Sequence, residues 1–298
     1  MSTNEPVTHS IVVGIDGSEA SDRAVDWAAR RASLHRLPLT VLHAFLWPVD
    51  SSYLGAFPAA TPDGWQEAAE ELLRSAVRRA TTAAPDVEVH SRLAVSPTAA
   101  ELVELSGTAA MIVVGNRGRG GFAGLLLGSV GVQVAAHAHC PVIVVRGEAD
   151  EAMPVPHRGQ VVAGVDGSEN ATAVLDFAFG EASARGAGLA VVHAWTALQP
   201  GVLGDMVPLR YEIDAMNGEE ARALAEILAG WQEKYPDVRV KREVIHGPPA
   251  EQLVAASNGA ELLVVGTRGH GGFEGLLMGS VSQAAIHHAS CPVAVIHG

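Results

Sequence analysis

The chain repeats itself. Ile11-Val12-Val13-Gly14-Ile15-Asp16-Gly17-Ser18-Glu19 returns as Val161-Val162-Ala163-Gly164-Val165-Asp166-Gly167-Ser168-Glu169, and His43-Ala44 returns as His193-Ala194. The stretch from Gly115 to Val130 returns from Gly266 to Val281, differing only at Asn116/Thr267, Arg119/His270, Ala123/Glu274 and Leu127/Met278. Cys140-Pro141-Val142 returns as Cys291-Pro292-Val293. Early matches are offset by 150 residues and late ones by 151, so one residue is inserted near the third strand. A unit of this length is a duplicated domain, not a solenoid repeat of roughly 20–45 residues. The 298-residue length agrees, at roughly 150 residues per domain. The expected division is one domain over 8–147, a linker over 148–158 and a second domain over 159–298. The join carries Glu148, Asp150, Glu151, Pro154 and Pro156, which suits an extended connection.

Within each half, short apolar runs alternate with helical patterns. In the first half, strands are expected around 10–15, 39–44, 87–95, 110–115 and 141–146. Helices are expected around 19–36, 63–83, 98–108 and 129–139. Met111-Ile112-Val113-Val114 is apolar without alternation, as in a parallel strand buried on both faces. Ala24, Trp27, Ala28 and Ala32 share one helical face. Ser96-Pro97 is read as the cap and first-turn proline of the third helix, with Gly247-Pro248 in the matching place. The alternation implies an α/β fold of two tandem, doubly wound, five-stranded parallel sheets.

Composition narrows the function. A net charge of −13 is the wrong sign for a general nucleic-acid binder. No apolar run approaches the ~20 residues of a membrane helix. The first residues carry neither a basic n-region nor an apolar h-region, and Cys140 and Cys291 cannot build a disulfide framework, so a cytoplasmic location is expected.

The chemistry concentrates in the glycine-rich loop after the fourth strand. Gly115 and Gly118 follow that strand, Gly120 sits in the loop, and Gly128-Ser129-Val130 opens the next helix. Glycines let backbone N–H groups approach a ligand, and the helix start adds unpaired donors and a partial positive charge. Together these suit a phosphate. A plain surface connector is the alternative, but near-identity across the two halves argues against it, because connectors tolerate change. The loop is not a Walker loop, since neither Lys234 nor Lys241 is near it. It is not a dinucleotide fingerprint, which would follow the first strand. Arg117, Arg119, Arg268 and His270 either attract an anion or are simply solvated.

The spacing Gly115-x2-Gly118-x9-Gly128-Ser129, repeated as Gly266-x2-Gly269-x9-Gly279-Ser280, resembles the nucleotide-binding motif of the universal stress protein family, in its ATP-binding, tandem actinobacterial form. The resemblance covers nearly the whole chain. It implies an adenine nucleotide alpha hydrolase-like sheet of order 3-2-1-4-5 and ATP, with Mg2+, in each half. By position it places Gly14 and Asp16 against the nucleotide or a metal-bound water, Ala44 at the adenine edge and Gly115 at the ribose. Gly118, Gly128, Ser129 and Val130 match phosphate contacts. The second-half counterparts are Gly164, Asp166, Ala194, Gly266, Gly269, Gly271, Gly279, Ser280 and Val281. The flank Ser96-Pro97-Thr98 departs from the family pattern, to which Gly247-Pro248-Pro249-Ala250 is closer. The less favoured reading of Asp16 in Asp-Gly-Ser is a plain turn entering a helix.

Other constellations carry less. His137, His139 and Cys140, and His287, His288 and Cys291, have a metal-like composition but no converging fourth partner in sequence. His43 and His193 are expected to bond to backbone. No nucleophile elbow or catalytic set is visible. The expectation is therefore an ATP-binding regulator of stress response or growth. A slow ATPase or adenylate hydrolase, a cyclic AMP or ADP binder, and a ligand-free dimerisation scaffold are the alternatives. Expected partners are a second copy of the chain and a regulatory protein, with neither nucleic acid nor membrane.

Overall fold

A computed structural model of the protein describes residues 8–46, 62–118, 128–146, 157–196, 210–269 and 277–298. The chain divides into two compact units, Met1–Arg146 and Gly147–Gly298. Most of the expected linker lies outside the described residues.

In the first unit the order is β1 (Ile11–Ile15), α1 (Glu19–His35), β2 (Leu39–Phe45), α2 (Pro62–Ala83), β3 (Val89–Val95), α3 (Thr98–Leu105), β4 (Met111–Gly115), α4 (Ser129–His137) and β5 (Val142–Val145). The pairs β1–β2, β1–β4, β2–β3 and β4–β5 are all parallel, and the order is β3-β2-β1-β4-β5. The expected 3-2-1-4-5 sheet is thus the observed one. The chain first winds from β1 to β3, then crosses back over β1 to β4. The loops leaving β1 and β4 therefore diverge, and an open sheet binds ligands in that crevice. Val12, Val13, Ile112 and Val113 have no solvent exposure, which explains the unbroken apolar runs. Each such side chain contributes about 1.5–3 kcal/mol by burial. Helix α1 packs on α2 and α3 on α4.

The second unit repeats the plan with β6 (Gln160–Gly164), α5 (Ala171–Arg185), β7 (Gly188–Trp195), α6 (Arg210–Ile227), α7 (Trp231–Lys234), β8 (Val240–His246), α8 (Pro249–Ala256), β9 (Leu262–Gly266), α9 (Ser280–His288) and β10 (Val293–Ile296). Its order is β8-β7-β6-β9-β10, again parallel. The duplication extends to single hydrogen bonds. Ser33 Oγ donates to Asp86 at 2.6 Å and Ser183 Oγ to Asp237 at 2.6 Å. Ser106 Oγ accepts from the His139 N–H, and Ser257 Oγ from the Ser290 N–H, both at 2.9 Å.

The halves also differ. Helix α1 starts from Ser18, whose hydroxyl accepts the Ser21 N–H, and ends at Arg36 in the left-handed conformation (φ 55°). In the second half Gly186 holds that last place (φ 62°). Helix α5 begins later, after Asn170, without a side-chain cap. Where α2 runs unbroken, the second half stops at Gly230 (φ 84°) and restarts as α7. The expected Ser96 cap is corrected. Pro97 is itself the extended residue before α3, and Ser96 Oγ donates to Glu101 at 2.9 Å instead. In the second half Pro248 is the cap, because Pro249 after it forces extended backbone.

Candidate functional site

The site begins with the turns after β1 and β6. Gly17 (φ 79°) and Gly167 (φ 73°) take the left-handed conformation that the Asp-Gly-Ser turn requires. Asp16 Oδ1 accepts the Ser18 N–H at 3.1 Å and the Ser18 hydroxyl at 2.7 Å. Asp166 Oδ1 accepts the Ser168 N–H at 3.1 Å. The turn-forming role of these aspartates is therefore real. It uses one oxygen, and the other faces the glycine loop: a Cβ on Gly118 would collide with Asp16 Oδ2, and one on Gly269 with Asp166 Oδ2. Each aspartate thus closes its own turn and presents a carboxylate edge to the loop across the crevice.

The glycine loops are pinned at their two ends. The Gly128 N–H donates to the Asn116 carbonyl at 2.9 Å, and the Gly279 N–H to the Thr267 carbonyl at 2.8 Å. Between these ends, Arg119, Gly120, His270 and Gly271 lie outside the described residues. Helices α4 and α9 follow directly, with Gly128 and Gly279 as caps that lack any side chain to satisfy the first-turn amides. Ser129 and Val130, and Ser280 and Val281, thus open helices whose positive ends remain available to an anion. Ser282, by contrast, turns its hydroxyl back to the Thr267 and Gly279 carbonyls at 3.0 and 2.9 Å. Gly115 is needed for a different reason: a Cβ there would stand 2.7 Å from the backbone of Ala20. Gly14 and Gly164 let Leu102 and Leu253 close onto the ends of their strands.

In the second unit these parts enclose a cavity of about 660 Å³. Its walls bring together Gly164, Asp166, Ala194, Gly266, Arg268, Gly269, Gly279, Ser280 and Val281, all of them expected from the sequence. This size lies within the roughly 300–1,000 Å³ of small-ligand sites. The glycine loop and α9 form one end. The tip of β7, with Pro249 and Leu253, forms the other. In the first unit Gly14, Asp16, Ala44, Gly115, Arg117, Gly118, Gly128, Ser129 and Val130 occupy the corresponding places on β1, β2, β4 and α4.

The backbone bonds of His193 and His43 are as expected, but their neighbours at the site were not foreseen. His193 Nδ1 donates to the Val165 carbonyl at 2.9 Å, as His43 does to Ile15. His193 Nε2 also meets Glu220 Oε2 on α6 at 3.0 Å. One turn earlier on α6, Asn217 accepts the Trp195 indole N–H at 3.0 Å. Neither α6 residue carries a motif, and only knowledge of which face of α6 meets β7 would have found them. Thr98 belongs to the flank that departs from the family pattern, but its bond was not foreseen. Its hydroxyl donates to the Ala44 carbonyl at 3.1 Å.

The remaining constellations stay apart from the site. Among the described residues, no three His, Cys, Asp or Glu side chains converge on a metal position. His137 Nδ1 donates to the Gln133 carbonyl of its own helix. Cys140 is 8% exposed, and burial pushes its thiol up to about 12. Among the described residues, no helix is long and apolar enough to cross a membrane.

Comparison with known proteins agrees over the full length. The profile of the universal stress protein family matches residues 8–146 and again 157–297. A universal stress protein of Mycobacterium tuberculosis is 40% identical, with 96% of each chain covered. One from Mycolicibacterium smegmatis is 38% identical, with 97% of each covered. The crystal structure of a universal stress protein from Archaeoglobus fulgidus superimposes with a TM-score of 0.65 at 20% identity, covering 97% of this chain and 98% of its own, a likeness of fold.

Proposed function

The chain belongs to the universal stress protein family, and from that premise we propose that each half binds ATP with Mg2+ and that occupancy regulates a stress or growth response. The observation that carries this reading is the second-half cavity. A carboxylate edge, a glycine loop and an uncapped helix start meet at one end, and the tip of β7 with Pro249, Leu253 and the His193–Glu220 pair lies at the other. On this reading the triphosphate occupies the first end and the base the second. The residues also suit Mg2+. It binds through one or two carboxylates, phosphate oxygens and water rather than a full protein cage, and Asp16 and Asp166 each supply one carboxylate beside the glycine loop. Binding would act by linkage, ATP favouring one conformation over another. The reading includes a homodimer and a regulatory protein partner.

The test is to denature freshly purified protein and identify the small molecules it releases by chromatography and mass spectrometry, then titrate emptied protein with ATP and Mg2+. About two ATP per chain is the expected result. Release of cyclic AMP or ADP reassigns the ligand. Phosphate release abolished by Asp16→Ala with Asp166→Ala establishes a slow ATPase instead. No released molecule and no saturation at millimolar ATP, about −4 kcal/mol, overturns the reading in favour of a scaffold.

A further inference from the structure

The duplication supplies an internal comparison, position by position, and two exchanges fall inside the site. The first is Thr98 against Pro249, matched at the 151-residue offset at the start of α3 and α8. The Thr98 hydroxyl donates to the Ala44 carbonyl at 3.1 Å, at the tip of β2. Pro249 has no donor. It lines the cavity beside Ala194, and among the described residues no side chain donates to the Ala194 carbonyl. The second exchange is one of partners at Ser18 and Ser168. The Ser18 hydroxyl lies 2.7 Å from Asp16 Oδ1 and 3.2 Å from the Arg117 carbonyl, so it joins the β1 turn to the β4 loop. Ser168 offers Asp166 only its N–H, and its hydroxyl has no hydrogen-bond partner among the described residues. That serine also lines the cavity. The cause is local: α5 starts after Asn170, so Ser168 is not recruited as a cap as Ser18 is.

Both exchanges act in the same direction. By the placement that the family resemblance implies, a nucleotide whose phosphates sit at the glycine loop has its base at Ala44 or Ala194. A base amino group needs a carbonyl there. In the first half one lone pair of that oxygen is already taken by Thr98, so a base must share the oxygen or displace the threonine, and the hydroxyl nearest the carboxylate is already engaged. In the second half both are available to the ligand.

We propose that the two sites are inequivalent and fill in order, the C-terminal site first, with Thr98 as the residue that weakens the N-terminal one. This rests on the nucleotide reading and adds a regulatory consequence to it. The chain then has a singly loaded state, and its response covers a wider range of ATP concentration than two equal sites allow. Each internal hydrogen bond that the ligand must displace costs roughly 3- to 10-fold in affinity, so the sites differ by about 10-fold or more.

Calorimetric titration of nucleotide-free, full-length protein with ATP and Mg2+ tests this. Two classes of site are expected. Gly269→Glu should remove the tighter class and Gly118→Glu the weaker. Thr98→Val, which keeps the shape and removes the hydroxyl, should tighten the weaker class roughly 3- to 10-fold. Pro249→Thr should weaken the tighter class in the same proportion. One class of two equal sites, the reverse assignment in the glycine variants, or an unchanged weak class in Thr98→Val each overturns the inference while leaving the nucleotide reading intact. No saturable binding in the unaltered protein overturns both.

Discussion

Two glycines, three residues apart, answer to different neighbours. A Cβ on Gly118 or Gly269 would meet the end of an aspartate side chain, which can swing aside. A Cβ on Gly115 would meet the Ala20 backbone at 2.7 Å, which cannot. Gly269→Ala should therefore fold normally, with a melting temperature within a few degrees of the parent. It should lose about tenfold or more in ATP affinity at its site, because Asp166 is displaced from the loop. Gly115→Ala should cost about 1–3 kcal/mol in urea unfolding, the range of an overpacked contact. Equal destabilisation by the two substitutions would show that the aspartate is as rigid as the backbone. Cys140 gives a second test at this scale. Burial holds its thiol at about 12 against an ordinary 9.0, so the folded state keeps the proton that the unfolded state releases. Its contribution to stability is complete below about pH 9 and is lost as pH rises toward 12. At pH 8 a thiol reagent should modify this position only on the timescale of unfolding; prompt labelling of native protein would contradict its burial. What the sequence showed at this scale was whatever repeats: Asp16, the glycines, Ser129. Thr98 and Glu220 stayed hidden because their roles depend on which strand tip each helix faces, and no local pattern encodes that.

The strands were legible as elements because a parallel sheet covered on both faces demands unbroken apolar runs, and β4 and β9 consist of little else. Helix ends were less so. The Ser96 cap failed because the backbone before α3 is extended through Pro97, which leaves the serine beside Glu101. The α6–α7 break turns on a single glycine, Gly230, which the pattern of apolar residues does not register. The helix starts at the site carry their own prediction. Ser280 is exposed at the uncapped start of α9. Ser280→Asp puts a negative charge at the positive end of the helix and should raise stability by about 0.3–1 kcal/mol. The same charge repels a phosphate and should weaken ATP binding. A variant that is both more stable and a poorer binder would locate the phosphates at this helix start; unchanged affinity would place them elsewhere. At the other end of a helix, Arg36 occupies the left-handed position that Gly186 fills in the second half. Arg36→Gly should therefore stabilise the first unit by about 0.5–1 kcal/mol, measured by chemical unfolding.

For the whole molecule the decisive quantity is a net charge of −13 facing the proposed polyanionic ligand, ATP. That field opposes ATP from a distance, although salt confines it to about 10 Å at 0.1 M. At contact the opposition persists, since Asp16 and Asp166 present carboxylates to the glycine loops that are to hold the phosphates. Helix starts and Arg117 or Arg268 offset part of it. Among the described residues no group of three metal-ligating side chains stands ready to hold a cation without the nucleotide. Magnesium should thus arrive with ATP and neutralise the carboxylate–phosphate pair on binding. Chelating Mg2+ should weaken ATP binding by about tenfold or more at low salt, and added monovalent salt should restore part of the loss. In the Asp16→Asn, Asp166→Asn protein the repulsion is gone, so the affinities with and without Mg2+ should converge. If chelation leaves the unaltered protein's affinity unchanged, the aspartates do not share a cation with the phosphates. If the doubly substituted protein keeps the full Mg2+ dependence, the cation is held by ligands other than these two carboxylates.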